Sequence, residues 1–424
     1  MSNMTKNPEQ TDDHNTVEQD TTKEIGKKAN TLVSLIDGVE KGPNYFHEYT
    51  MDDFSDFYPA KDLAYDKNVV RNMRAEALDA YYRIAKKDSG GLDETVSKMD
   101  AAEKSYENRP AKKLEQILKL GIAQGGILNP GRQRPYEIIS LNSAEDADDY
   151  RNRIDAPFQL KFLSNPNETI FVGFDATLEN NDEAIMDKLT RSSNVSIRQG
   201  SENRLPFGFS TLRYAYDPIT GERFSVDNVL RYTIAIDSKT LKNAEEKVAD
   251  GIEGWLDYSK SLDYDRLSFM VLSEIHEQSR LFKAMNQANS LINKKALQTI
   301  IKFDSDIWKS LKMVTFDLVK RDDFFAELRE DREKIVALQQ DLKDLPPAER
   351  TELISEINKL HAKIYQTIAK CYRAGNVDEH NRIGSQYTTI WYRTHDLINA
   401  EKSGKLDQYK IPQARNVGIT REQL

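Results

Sequence analysis

Two spacings of apolar residues divide the chain. Between Asn68 and Leu120 they recur at helical intervals. "NVVRNMRAEALDAYYRIAKK" places Val70, Met73, Ala77 and Tyr81 on one face, and "AKKLEQILKLGIAQGG" predicts a second amphipathic helix ended by Gly. "SGGLDE" separates the two. From Ile127 the runs shorten. "YEIISL", "FQLKFL", "TIFVGF", "NVSIRQ", "LRYAY" and "LRYTIAI" are β-branched and aromatic, with turn residues between them, and predict strands. In "YDPITGERF", Asp-Pro opens a hairpin connection and Gly221 supplies a positive φ. "DRLSFMVL" (Asp265 to Leu272) reads as one more strand, followed by a helix.

That helix runs into "LFKAMNQANSLINKKAL" (Leu281 to Leu297), where three Asn and one Gln arrive between Asn286 and Asn293. Amides compete for nearby backbone groups and are poor in helix interiors. They predict a turn after Met285, with Asn293 as the N-cap of "KKALQTII", or a contact with a partner that presents donors and acceptors. After Phe324 the chain is helical again. "FFAELREDREKIVALQQDLKDL" and "AERTELISEINKLHAKIYQTIAKCYRAG" flank Pro346-Pro347. Leu353, Ile357, Leu360, Ile364 and Ile368 form one stripe of the second helix. This is a helical hairpin with coiled-coil-like character, packed on its own domain or serving as an arm for a partner or for self-association through residues 325–375.

These elements predict an α+β fold: a mixed α/β core at 127–320, a helical region at 31–126, the hairpin at 321–375 and an extension at 376–424. Residues 1–30 are polar, acidic and nearly free of large apolar side chains, the composition of a disordered tail. Hydrophobic residues make up 38% of the 424 and charged residues 30%, enough for a core under a very polar surface. No apolar run is long enough to span a membrane, and the N-terminus lacks a signal-peptide pattern, so a cytoplasmic protein is expected. The single Cys371 excludes an internal disulfide framework. The net charge of −9 is uneven: residues 1–65 carry −7, leaving −2 for the rest. A near-neutral body leaves room for a local basic groove.

Candidate chemistry is sparse. There is no P-loop, no dinucleotide fingerprint and no HExxH, since "HEQSR" at His276 lacks the second His. The six His do not pair at ligand spacing, so neither a metal nor a cofactor is expected; His361 reads as a seam or surface residue of the hairpin. In "IDAPFQLKF", Asp155, Gln159 and Lys161 share one strand face. A magnesium-dependent nuclease needs carboxylates for the metal and a Lys for the attacking water, which makes Asp155 and Lys161 its candidates. The alternative is a half-exposed strand with alternating polar residues. In "LNPGRQRPYE", Arg132, Gln133 and Arg134 sit in a short loop; guanidinium forks suit phosphates and base edges, and Gln suits adenine. They equally suit helix caps or carboxylate partners. "VADGIEGWLDY" holds an Asp250-Gly251 turn, which either brings main-chain NH groups near a ligand or simply ends the helix "KTLKNAEEKVA".

Taken in order, these pieces resemble the DGQHR-domain family, the DndB-like proteins linked to DNA phosphorothioate modification and phage defence. "NPGRQR" (Asn129 to Arg134) looks like the family's first element. Leu267 to Asp306 looks like its strand, helix and closing elements, with matches at Phe282, Asn286, Lys295, Leu297, Phe303, Asp304 and Asp306. Asp250 and Gly251 stand where the motif's Asp-Gly belongs, at a strand-to-helix turn, but Ile252, Glu253 and Gly254 replace Gln-His-Arg. A second alignment, through Gly200 and Arg204 of "RQGSENRLPFG", keeps an Arg but puts Pro206 where a helix should start. The resemblance covers about 127–320. It implies a core related to the ParB-like fold and a divergent DNA-binding regulator or accessory factor that does not catalyse.

DNA is therefore the expected partner. The candidate contacts are Arg132, Gln133 and Arg134, with Asn286, Gln287, Asn289, Lys294 and Lys295. Two other functions stay open: the nuclease of Asp155 and Lys161, and a structural or assembly protein of a phage or mobile element.

Overall fold

The computed structural model describes residues 51–55, 58–72, 75, 110–123, 126–128, 135–141, 154–165, 167–177, 206, 208–216, 223–236, 238–248, 251–288, 294–374 and 403. The acidic tail, Met73, Ala77, Tyr81, the strand expected at 194–199, Gly200, Arg204, Gly221, the loop with Arg132, Gln133 and Arg134, and Asp250, Asn289 and Asn293 lie outside the described residues.

A 3₁₀ turn at Met51–Phe54 leads to helix α1 (60–72), and α2 spans Pro110–Ala123. Strands β1 (Tyr136–Leu141), β2 (Ala156–Phe162), β3 (Thr169–Thr177), β4 (Phe209–Tyr216) and β5 (Arg223–Ala235) follow. Helices α3 (Ser238–Val248), α4 (Gly251–Tyr258), α5 (Leu262–Ala288), α6 (Lys294–Arg321), α7 (Arg329–Asp344) and α8 (Arg350–Ala374) complete the fold. The class is α+β, as the sequence predicts.

The five strands form one sheet in the order β1-β2-β3-β5-β4, with β3 and β5 parallel and the other pairs antiparallel. Alternation sorts the side chains: Phe158, Leu160 and Phe162 of β2 are buried, while Gln159 and Lys161 are half-exposed. The apolar face of the sheet, with Val172, Phe174, Leu230, Tyr232 and Ile234, joins α2 to α8 in one continuous core. β4 and β5 pair antiparallel on either side of Asp217 to Glu222, the expected hairpin connection. A register shift in this pair coincides with Asn228 at φ 67°, and Asn tolerates that left-handed geometry at a bulge.

One expected strand is a helix. Asp265 to Leu272 lies inside α5, so the strand that the family resemblance calls for after Asp250-Gly251 is absent there, and Gly251 opens α4 after another helix, α3. The reason is burial. Every residue from Leu267 to Phe282 except His276 and Arg280 is buried. A helix buried all round shows no 3.6-residue stripe, and a short apolar run within it reads like a buried strand. The amides do not stop α5 at Met285 either: it continues through Asn286 and Gln287 to Ala288 before α6 starts at Lys294.

The hairpin of α7 and α8 packs on its own domain. Ile335, Ile357, Ile364, Tyr365, Ile368 and Ala369 belong to the same core as the sheet. Most of the α8 stripe is thus used internally.

Candidate functional site: the α5–α6 hairpin

The central element is α5, which carries an unusual load of buried polar side chains. Ser273, Glu274, Glu277, Gln278 and Ser279 are all buried. Their placement follows from the sheet. β4 stops pairing with β5 near Leu230, where Gly208 O accepts from Arg231 N. Beyond it the β5 edge is left to α5. Gln278 takes both groups of Thr233: its Oε1 accepts from Thr233 N at 3.0 Å and its Nε2 donates to Thr233 O at 2.7 Å. Glu274 Oε2 accepts from Ala235 N at 2.9 Å. A primary amide carries the same donor and acceptor as a peptide unit, so Gln278 completes the ladder in place of a strand.

Glu274 is fully buried, its Oε1 has no hydrogen-bond partner, and burial pushes its carboxyl well above the usual carboxylate range against the effect of the Ala235 N–H. A raised folded-state pKa gives stability that is complete below the unfolded value and is lost as pH rises toward the folded one. Asp265, pushed up to about 6 by burial despite Arg321, acts with the same sign at the lower end of that window. Urea unfolding at about pH 5 and about pH 8 should show the wild type losing stability as pH rises and Glu274→Gln losing less, because Gln keeps the acceptor without a charge. Equal losses would contradict this.

The positions matched to the DGQHR family are placed around the same helix pair. Phe282 packs tilted against Tyr232 at 5.4 Å, and Tyr232 meets Phe303 at 5.8 Å, which meets Tyr136 at 5.6 Å. Gly208, at φ +85°, passes so close to the Phe282 ring that a Cβ would lie 2.4 Å from it. Phe282 and Phe303 are thus core aromatics. Asp306 is buried and pairs with Lys309 at 2.6 Å. Asp304 meets His276 Nδ1 at 2.6 Å. A carboxylate oxygen only accepts, so Nδ1 carries the proton in this bond. The His276 ring stacks on Trp308 at 5.0 Å, and Trp308 meets Tyr365 edge-on at 5.4 Å. Tyr365 bridges Ser273 and Glu277, and Glu277 holds Arg280. Sequence reasoning missed this cluster, because its partners are 28 and 88 residues apart and no local pattern links them.

The DNA-contact candidates separate into three groups. Gln287, Lys294 and Lys295 are exposed at the tip between α5 and α6, with half-buried Lys283 one turn before Gln287. No acidic residue stands in the first turn of α6. Asn286 is buried, so it serves the helix packing. The Arg132–Arg134 loop is not described, but both of its flanks reach α6: Ser310 Oγ donates to Leu128 O at 2.8 Å, and Pro135 shares a cleft with Ser310. Ser310 lies fifteen residues along α6 from Lys295, about 22 Å at helical rise.

The nuclease candidates are not brought together. Six residues of strand put Asp155 and Lys161 about 20 Å apart. Asp155 Oδ2 accepts from Ala176 N at 2.8 Å, and Lys161 pairs with Glu137 at 3.2 Å. Among the described residues no group of three or more His, Cys, Asp or Glu side chains is placed to hold a metal ion, and no helix is long and apolar enough to cross a membrane. No protein-family model, no curated protein and no solved structure matches the chain.

Proposed function

We propose that this protein binds DNA without cleaving it, as a regulatory or accessory factor, and that the contact centres on the tip of the α5–α6 hairpin. The observation that carries this reading is the exposed group Gln287, Lys294 and Lys295 at the amino end of a 28-residue helix that has no carboxylate in its first turn. The helix dipole adds to the lysine charge there, and phosphate oxygens suit both. Gln287 adds a donor and an acceptor within reach of a base edge. Arg132, Gln133 and Arg134 are further candidate contacts on sequence grounds, because guanidinium forks suit phosphates and Gln suits adenine. The resemblance to the DGQHR-domain family supplies the setting, a DNA-modification or phage-defence system.

Fluorescence anisotropy with a labelled duplex at low salt tests this. Lys294→Ala with Lys295→Ala is expected to weaken binding by roughly tenfold or more. Plasmid incubated with the protein and Mg²⁺ is expected to stay intact. Cleavage that is lost in Lys161→Ala would replace this reading with the nuclease.

A further inference from the structure

A cleft of about 740 Å³ opens between α6 and the α7–α8 hairpin, within the size range of small-molecule sites. Met313 and Phe316 of α6 and Ile357 of α8 give it apolar walls. Two of its polar groups are poorly matched. Lys312 Nζ donates to the amide oxygen of exposed Asn358 at 3.0 Å and lies 5.6 Å from the centre of the Trp308 ring, and among the described residues no carboxylate forms an ion pair with it. Burial and neighbouring Lys309 both lower its pKa. His361 is 6% exposed, and its Nδ1 is buried with no hydrogen-bond partner. Burial and Lys312 bring its pKa down to about 4, so it is uncharged at neutral pH.

The remaining charges of the cleft do not relieve this. Lys309 is matched by Asp306, and Asp317, the other carboxylate of the lining, forms no ion pair with Lys312. The buried, unbonded imidazole nitrogen of His361 is costly, and the Lys312 ammonium has no carboxylate to offset its charge. An acidic group in the cleft supplies the counter-charge that Lys312 lacks.

We propose that this cleft binds a small organic anion, its apolar ring system against Met313, Phe316 and Ile357 and its single acidic group on Lys312 and His361. This goes beyond the DNA-contact reading and uses a different part of α6. The class of ligand is a flat aromatic carboxylate or sulfonate; the apolar walls disfavour a bare inorganic ion, and the single unmatched ammonium disfavours a polyanion.

Anilinonaphthalene sulfonate is a suitable probe, with uncharged N-phenylnaphthylamine as its counterpart. Fluorescence titration of the full chain at neutral pH is expected to show one saturable sulfonate site. Lys312→Gln should weaken it by about tenfold, the scale of a lost charge-assisted hydrogen bond, and Lys312→Arg should retain it. The uncharged probe should bind wild type and Lys312→Gln alike, and Lys294→Gln should leave the sulfonate site unchanged. Equal sulfonate affinity in wild type and Lys312→Gln, or no saturable site in the wild type, overturns the proposal. Should Lys312→Gln fail to fold, the His361 imidazole ¹⁵N resonances of the wild type decide: they move on adding the sulfonate, and unmoved resonances overturn it.

Discussion

Gln278→Ala is expected to lower the unfolding free energy by about 2–5 kcal/mol, read from urea denaturation. The substitution leaves the N–H and the C=O of Thr233 buried without partners, and each such group costs roughly 1–3 kcal/mol. Helix propensity works in the opposite sense, since Ala is the better helix former, so the loss cannot come from α5 itself. Gln278→Glu should fall between, because it restores the acceptor for Thr233 N and not the donor for Thr233 O. As a control, Gln287→Ala, at an exposed position of the same helix, should stay within about 0.5 kcal/mol of wild type. A Gln278→Ala protein as stable as the wild type would mean that the end of β5 is not held by α5.

The second large effect is expected at Asp175. Its carboxylate pairs with Arg231 at 2.8 Å, and both side chains are almost completely buried. Asp175→Ala strands a guanidinium in the interior, a change that typically costs about 3–5 kcal/mol. The double variant Asp175→Leu with Arg231→Met should recover most of that loss, because apolar residues of similar volume replace a buried ion pair at little cost. Recovery would show that the pair serves the geometry of the β3–β5 contact more than its stability. A single variant with no measurable loss would contradict the assignment.

The parts of the fold that were legible in the sequence are those with one wet face. β2 announces itself by alternation of Phe158, Leu160 and Phe162 with Gln159 and Lys161, and α8 by its stripe through Ile357, Ile364 and Ile368. The part that was not legible is the first half of α5, Asp265 to Leu272, because a helix buried on all sides has no stripe; the helix expected after it is present. The partners of the polar residues in α5 are set by tertiary contacts: Gln278 meets Thr233 across 45 residues, and His276 meets Asp304 across 28. The candidate site was legible in part. Lys294, Lys295 and Gln287 stand exposed as a contact requires, whereas Asn286 turned inward. Asp155 lies just before β2, with its carboxylate on Ala176 N, and the strand rise to Lys161 separates the two too far for a single centre.

The most direct test of the functional account is the salt dependence of duplex binding. Each phosphate neutralised by Lys or Arg contributes close to one unit to the slope of log K against log salt. The account predicts a steep negative slope for the wild type, reduced by about two units when Lys294 and Lys295 are both replaced by Ala. A wild-type slope near zero, or a slope unchanged in the double variant, would contradict it.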